Sequence, residues 1–171
     1  MKYIGSLIGE GKSRKVYEYL LDPNYVVKIN NELFTEFANP NRCEFNVFQL
    51  LDSYGLSELL APCRMEGEHL IMLKTAPLPK GVYSVPVVFC DRPKNWGMLN
   101  NRLYRIDYGW NTEYIDNQLV IRKKISDIDL AKLSVIADKI VFDNSGKIVT
   151  IPLLPEVLIK VFSTTMPMIV D

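Results

Sequence analysis

Between Ser6 and Ile29, three short stretches rich in β-branched or aromatic residues are separated by glycines and by Asp22-Pro23-Asn24. They are Ser6-Leu-Ile-Gly9, Lys15-Val-Tyr-Glu-Tyr-Leu20 and Tyr25-Val-Val-Lys-Ile29. Such punctuated runs predict three antiparallel strands. A second hairpin is expected from Leu59–Met65 and His69–Leu73, which flank the turn signal Glu66-Gly67-Glu68. Between the two hairpins, Phe45, Val47, Phe48, Leu50 and Leu51 fall at helical spacing over Asn41–Tyr54, with Gly55 as a stop. The start of the chain therefore reads as a five-stranded antiparallel sheet crossed by one helix.

That unit is expected to end near Lys74. Residues 75–84 open on Thr75-Ala-Pro-Leu-Pro-Lys-Gly81, whose prolines and glycine disfavour a helix and suggest a hinge. Beyond it, Val85–Phe89 leads into a polar loop, Asp91–Asn95. Trp96–Leu99 and Arg102–Ile106 then flank Asn100-Asn101, a two-residue hairpin signal. Antiparallel pairing would bring Asn95 and Asp107, at the two ends of this hairpin, within reach of one cation. A helix is predicted over Asp127–Ile140, a hairpin from Val141-Phe142 and Lys147–Ile151, and a last helix from Pro155 through Val161.

Twenty basic and 20 acidic residues cancel, so the composition calls for neither nucleic acid nor an anionic membrane. No apolar run approaches the roughly 20 residues of a membrane-spanning helix. The N-terminus lacks the pattern of a signal peptide. Cys43, Cys63 and Cys90 are odd in number and widely spaced, which suggests neither a disulfide framework nor a zinc ribbon. A soluble, cytoplasmic protein is expected. His69 is the only histidine and is expected at the surface, at the start of a strand.

Several polar residues stand out against this background. Gly9 and Gly11 lie between two predicted strands, where missing Cβ atoms would admit a polyphosphate or simply form a hairpin. No Gly-Lys-Ser/Thr run opens a helix, which excludes a Walker A loop. Lys28 interrupts the apolar strand Val26-Val-Lys-Ile29 and calls for a cleft or a carboxylate. Glu44 is the natural counterion on the following helix, and Glu36 is a competing candidate. Asp91 and Asp107 follow apolar stretches, so each caps a turn or binds a cation.

In this order the residues resemble the protein-kinase-like fold over roughly Leu7–Trp110. Gly9-x-Gly11-x-x-Arg14-x-Val16 resembles a glycine-rich loop with its third glycine replaced. Val26-Val-Lys28-Ile29 resembles the strand that carries the ATP-binding lysine. Asp107-Tyr-Gly109 resembles the Asp-Phe-Gly motif, and Asp91-Arg-Pro-Lys-Asn95 resembles the catalytic loop of atypical, HipA-like or lipid kinases.

The resemblance implies an α+β, bilobal kinase-like fold with an N-terminal nucleotide-binding lobe (1–74), a hinge (75–84) and a reduced C-terminal lobe (85–171). It implies a minimal kinase that moves the γ-phosphoryl group of ATP, with Mg2+, to a hydroxyl of protein Ser, Thr or Tyr. Gly9, Glu10, Gly11, Lys12, Ser13 and Val16 would cradle the nucleotide and Lys28 its α/β-phosphates, with Glu44 as helix partner. Met72, Lys74 and Ala76 would receive adenine. Asp91 would orient or deprotonate the acceptor, while Asn95 and Asp107 would hold magnesium.

Two departures frame the alternative, a pseudokinase that binds nucleotide or a partner without turnover. The Asp91–Asn95 interval is one residue shorter than the family pattern. After Gly109 only roughly sixty residues remain for a substrate-docking half. A protein substrate would then be gripped by a homodimer partner or by Trp110–Lys124, where Arg122-Lys123-Lys124 either holds an acidic group or forms a solvated turn.

Overall fold

The computed structural model describes residues 2–31, 39–86, 92–108, 112–115, 118–124, 138, 141–146, 148–152 and 154–171. The chain is α+β, with mostly antiparallel strands. It divides into two compact units: Met1–Leu78 with Lys94–Gly109, and Pro79–Pro93 with Trp110–Asp171.

The first unit opens with β1 (Ile4–Glu10), β2 (Arg14–Tyr19) and β3 (Tyr25–Asn30), then α1 (Pro40–Ser53), β4 (Cys63–Glu66) and β5 (His69–Leu73). The strands form the expected five-stranded sheet in the order β1-β2-β3-β5-β4. Strand alternation sorts its two faces. On one face Tyr19, Val27 and Ile71 form an apolar core, closed by Tyr3, Ile4, Tyr17, Tyr25 and Ile29. On the other, the pairings Gly9↔Val16, Val16↔Lys28 and Lys28↔Leu70 make one continuous row across the sheet.

Helix α1 packs on β3, β4 and β5. Its buried residues, Asn41, Glu44, Val47 and Leu51, recur at three- and four-residue intervals and so line one face. Asn39 caps the N-terminus by accepting from Arg42 N (2.9 Å), and Pro40 occupies the first turn, where no amide donor is missed. At the other end Gly55 adopts φ +68°, while Leu56 N donates to Leu51 O and Gly55 N to Asp52 O. This is a Schellman stop. Asn41 ties helix to sheet by donating to Lys28 O (2.9 Å) and Glu68 O (3.0 Å).

After β6 (Ala76–Pro77) and β7 (Gly81–Pro86), the chain forms the hairpin of β8 (Trp96–Leu99) and β9 (Arg102–Arg105). Asn100 and Asn101 both have positive φ, as a two-residue type I′ turn requires. Strand β6 pairs with β8, so residues 76–77 of the expected hinge belong to a sheet, and the Asn95–Asp107 hairpin belongs to the first unit instead of a separate C-terminal lobe. His69 is also corrected: it is buried and hydrogen-bonded to Tyr3 Oη through Nδ1 (3.0 Å).

In the second unit, β7 pairs with β14 (Thr165–Val170), and β10 (Thr112–Ile115), β11 (Gln118–Lys124), β12 (Val141–Phe142) and β13 (Ile148–Pro152) form a sheet in the order β10-β11-β13-β12. Helix α2 (Pro155–Ser163) begins at the expected proline. Strands β10, β11 and β14 were not expected. Arg122-Lys123-Lys124 accordingly lies in a paired strand, against Thr150, Val149 and Ile148, and not in a turn. The helix expected over 127–140 lies outside the described residues, Asp138 apart. Among the described residues no helix is long and apolar enough to cross a membrane.

Candidate functional site

Lys28 stands at the middle of β3, between strands on both sides, so its side chain leaves the sheet only through a face. On that face α1 presents Glu44 one turn in from its capped N-terminus. Lys28 Nζ donates to Glu44 Oε2 at 3.0 Å and also to the carbonyl of Ile106. Glu44 is fully buried, and its other oxygen, Oε1, accepts from the backbone N–H of Tyr108 at 2.8 Å. Lysine and glutamate are thus tied to the backbone on either side of Asp107.

A second cation shares the same carboxylate. Arg14, the first residue of β2, is buried; its Nη1 donates to Glu44 Oε2 and its Nη2 to Asp107 Oδ1 at 3.0 Å. Burial alone would raise the Glu44 pKa, but Arg14, Lys28 and the Tyr108 amide outweigh it and hold the carboxyl at about 2. Burial pushes the Lys28 ammonium below its ordinary value against the pull of Glu44. The cluster holds two cations and two anions.

Asp107 is positioned from both sides. Its carbonyl accepts from Arg105 Nε at 2.6 Å, and the Arg105 guanidinium lies 5.5 Å from the centre of the buried Trp96 ring. Tyr108 is buried and donates its hydroxyl to Ala61 O at 2.7 Å, with Cys63 Sγ 3.2 Å away. Burial pushes the Cys63 thiol up to about 12, which leaves it an inert packing group. On the far side of the hairpin, Asn95 ends a short 3-10 turn, and its carbonyl accepts from Ile106 N at 2.8 Å. The two ends of the hairpin therefore meet at the backbone.

The glycine turn closes through Gly11 N, which donates to Arg14 O at 2.8 Å. Asn31 braces it: Nδ2 donates to Gly11 O (3.3 Å) and Lys12 O (3.0 Å), and Asn31 N donates to Ser13 O (2.8 Å). A Cβ at Gly9 would meet Val16 at 3.8 Å, and one at Gly11 would meet Arg14 O at 3.6 Å, both ordinary contacts, and neither glycine has a positive φ. The fold itself does not demand glycine at either position.

Of the sequence-predicted residues, the structure gathers Gly9, Val16 and Lys28 in one row, with Glu44 and Asp107 joined to it through Lys28 and Arg14. Glu10, Lys12 and Ser13 lie in or beside the glycine turn; Glu10 faces Lys15 across the hairpin at 3.6 Å. Met72 is buried inside β5 between Val26 and Cys63, so its backbone is committed to the sheet. Lys74 N donates to Asn24 O, and Ala76 pairs with Met98. These backbone partners remove Met72 and the Lys74 amide from the adenine contacts expected there. Asp91, like Glu36, Gly109 and Trp110, lies outside the described residues.

Sequence reasoning missed the roles of Arg14, Asn31 and Tyr108. For Arg14 a signal existed, since two-residue alternation along β2 places it on the same face as Val16 and hence of Lys28. No protein-family model matches this chain, and no curated protein matches it.

Proposed function

We propose that this chain is a minimal kinase-like phosphotransferase that binds ATP with Mg2+ and phosphorylates a hydroxyl, on Ser, Thr or Tyr of a protein. One observation carries the reading: the buried Lys28–Glu44 pair is bound to the backbone on both sides of Asp107, at Ile106 O and Tyr108 N. Phosphoryl transfer asks for fixed positive charge and a fixed metal-binding carboxylate, and little else of the protein. This network fixes both with one glutamate.

The residues present fit a nucleotide. Gly9 leaves side-chain space beside Val16, the neighbour of Lys28 in the row, and Gly11 leaves it beside the Arg14 carbonyl. Bound Mg·ATP would supply the γ-phosphoryl group. Lys28 would neutralise phosphate oxygens while Glu44 holds its ammonium in place. Asp107 and Asn95 would hold the metal, and Asp91 would orient the acceptor hydroxyl.

A second reading, a pseudokinase, has one observation in its favour: Arg14 already sits on Asp107. An occupied carboxylate suits a module that binds nucleotide or a protein partner without turnover.

Thermal unfolding with ATP, with and without Mg2+, tests both, because a ligand of the native state raises its melting temperature by mass action. The expected result is a magnesium-dependent rise that Asp107→Ala abolishes and Lys28→Met weakens. Asp91→Ala should keep the rise and lose phosphotransfer. A rise without phosphotransfer by the wild type selects the pseudokinase; no rise at saturating nucleotide removes the kinase and leaves, of the second reading, only a module that binds a protein partner.

A further inference from the structure

Arg14 spans two carboxylates of very different exposure. The Glu44 side chain is 0% exposed, whereas that of Asp107 is 50% exposed. Ion pairs that reach solvent are worth little, while breaking a buried pair is costly. The Asp107 end is therefore the end that lets go. Glu44 is in turn held by Lys28 and the Tyr108 amide, so it stays satisfied when Arg14 shifts its second edge.

Charge balance says when that shift is favourable. Arg14 and Lys28 match Glu44 and Asp107, so a bare divalent cation entering at Asp107 meets a neutral cluster with a guanidinium against its ligand. A polyphosphate entering with the cation brings the missing negative charge. Arg14 itself stands at the base of the glycine turn, whose Gly11 amide is bonded to the Arg14 carbonyl.

Resting on the reading of the site as a nucleotide site, we propose that Arg14 and the metal are alternative occupants of the Asp107 carboxylate. Arg14 holds Asp107 closed to metal alone; a polyphosphate draws the guanidinium edge away as a phosphate contact, at the cost of the Asp107 pair, and so opens Asp107 to the metal. Arg14 thus couples metal binding to nucleotide binding.

The test is calorimetric titration of Mn2+ alone, and of ATP in EDTA, into the wild type and Arg14→Gln. Losing a charge-assisted bond changes affinity by about tenfold. The variant should bind Mn2+ about tenfold tighter and metal-free ATP about tenfold weaker. A mere structural brace moves both constants the same way, and that outcome, or two unchanged constants, overturns the proposal.

Asp107→Asn provides a second arm should Arg14→Gln not fold. With its partner neutral, Arg14 is freed, and metal-free ATP should bind about tenfold tighter, a gain absent from Arg14→Gln/Asp107→Asn. No gain, or an equal gain in the double variant, refutes it. Wild type that binds Mg·ATP while the Arg14 variants behave like it removes the coupling alone; wild type that binds no nucleotide removes the site reading as well.

Discussion

Arg14, Lys28, Asn41, Glu44, His69 and Arg105 are buried in the first unit, whereas the buried side chains described in the second, among them Val85, Val120, Ile151, Val157, Leu158 and Met168, are apolar. A charge taken out of water destabilises a fold unless partners surround it, so a unit that buries four charged residues is organised around their contacts. The second unit, in its described residues, is held by apolar burial and strand pairing. Among the described residues, the buried charges belong to the first.

Removing the common anion breaks this contrast most severely. Glu44→Ala strands Lys28 and Arg14 without their shared carboxylate, and the expected loss is about 3–5 kcal/mol in denaturant unfolding. A loss below about 1 kcal/mol would place the pair in the class of surface ion pairs. The acid limb sharpens the result. A carboxyl held at about 2, below its ordinary 4.5, adds stability that is fully present above the ordinary value and is lost as pH falls through the lower one. Glu44→Ala should lack that component between those two pH values.

Glycines give a finer test within the first unit. At Gly97 a Cβ would lie 1.9 Å from Thr75 Oγ1, 2.6 Å from Thr75 Cβ and 3.0 Å from the Ala76 carbonyl. The β6–β8 contact must open to admit it, and Gly97→Ala should cost about 1–3 kcal/mol. Gly9→Ala meets no such obstacle and should change stability by less than about 1 kcal/mol, while weakening ATP binding. If Gly9→Ala proves as destabilising as Gly97→Ala, Gly9 serves the fold and not a ligand.

Legibility in the sequence follows the same division. The five-stranded sheet, α1, the β8–β9 hairpin and the Lys28–Glu44 pair were readable because each rests on local signals: turn residues, a helical stripe and a lysine misplaced in an apolar strand. Arg14 reads only as a replaced glycine, since its second partner, Asp107, is 93 residues away in sequence and no local pattern encodes that distance. Strand β14 was missed for a related reason. Its pairing with β7 spans most of the second unit, and Thr165-Met-Pro-Met-Ile-Val170 contains a proline, which demotes it as a strand. Arg122–Lys124 reads as a turn by charge and folds as a strand by pairing with β13.

The smallest expected effect lies in the second unit. Val82 and Ile169 are direct partners across the β7–β14 ladder and are 70% and 64% exposed. Cross-strand apolar pairs contribute a few tenths of a kcal/mol up to about 1 kcal/mol when packed, and less when water reaches both side chains. Threonine keeps the β-branched shape that suits a strand. Val82→Thr with Ile169→Thr should therefore shift unfolding by no more than about 0.5 kcal/mol and leave ATP binding unchanged. A loss above about 1 kcal/mol would mean that the pair is covered in solution, since exposed side chains cannot contribute that much by apolar burial. In that case a surface that closes over β7 and β14 in solution adds to the apolar burial of the second unit, and the contrast with the first still rests on where the buried charges lie.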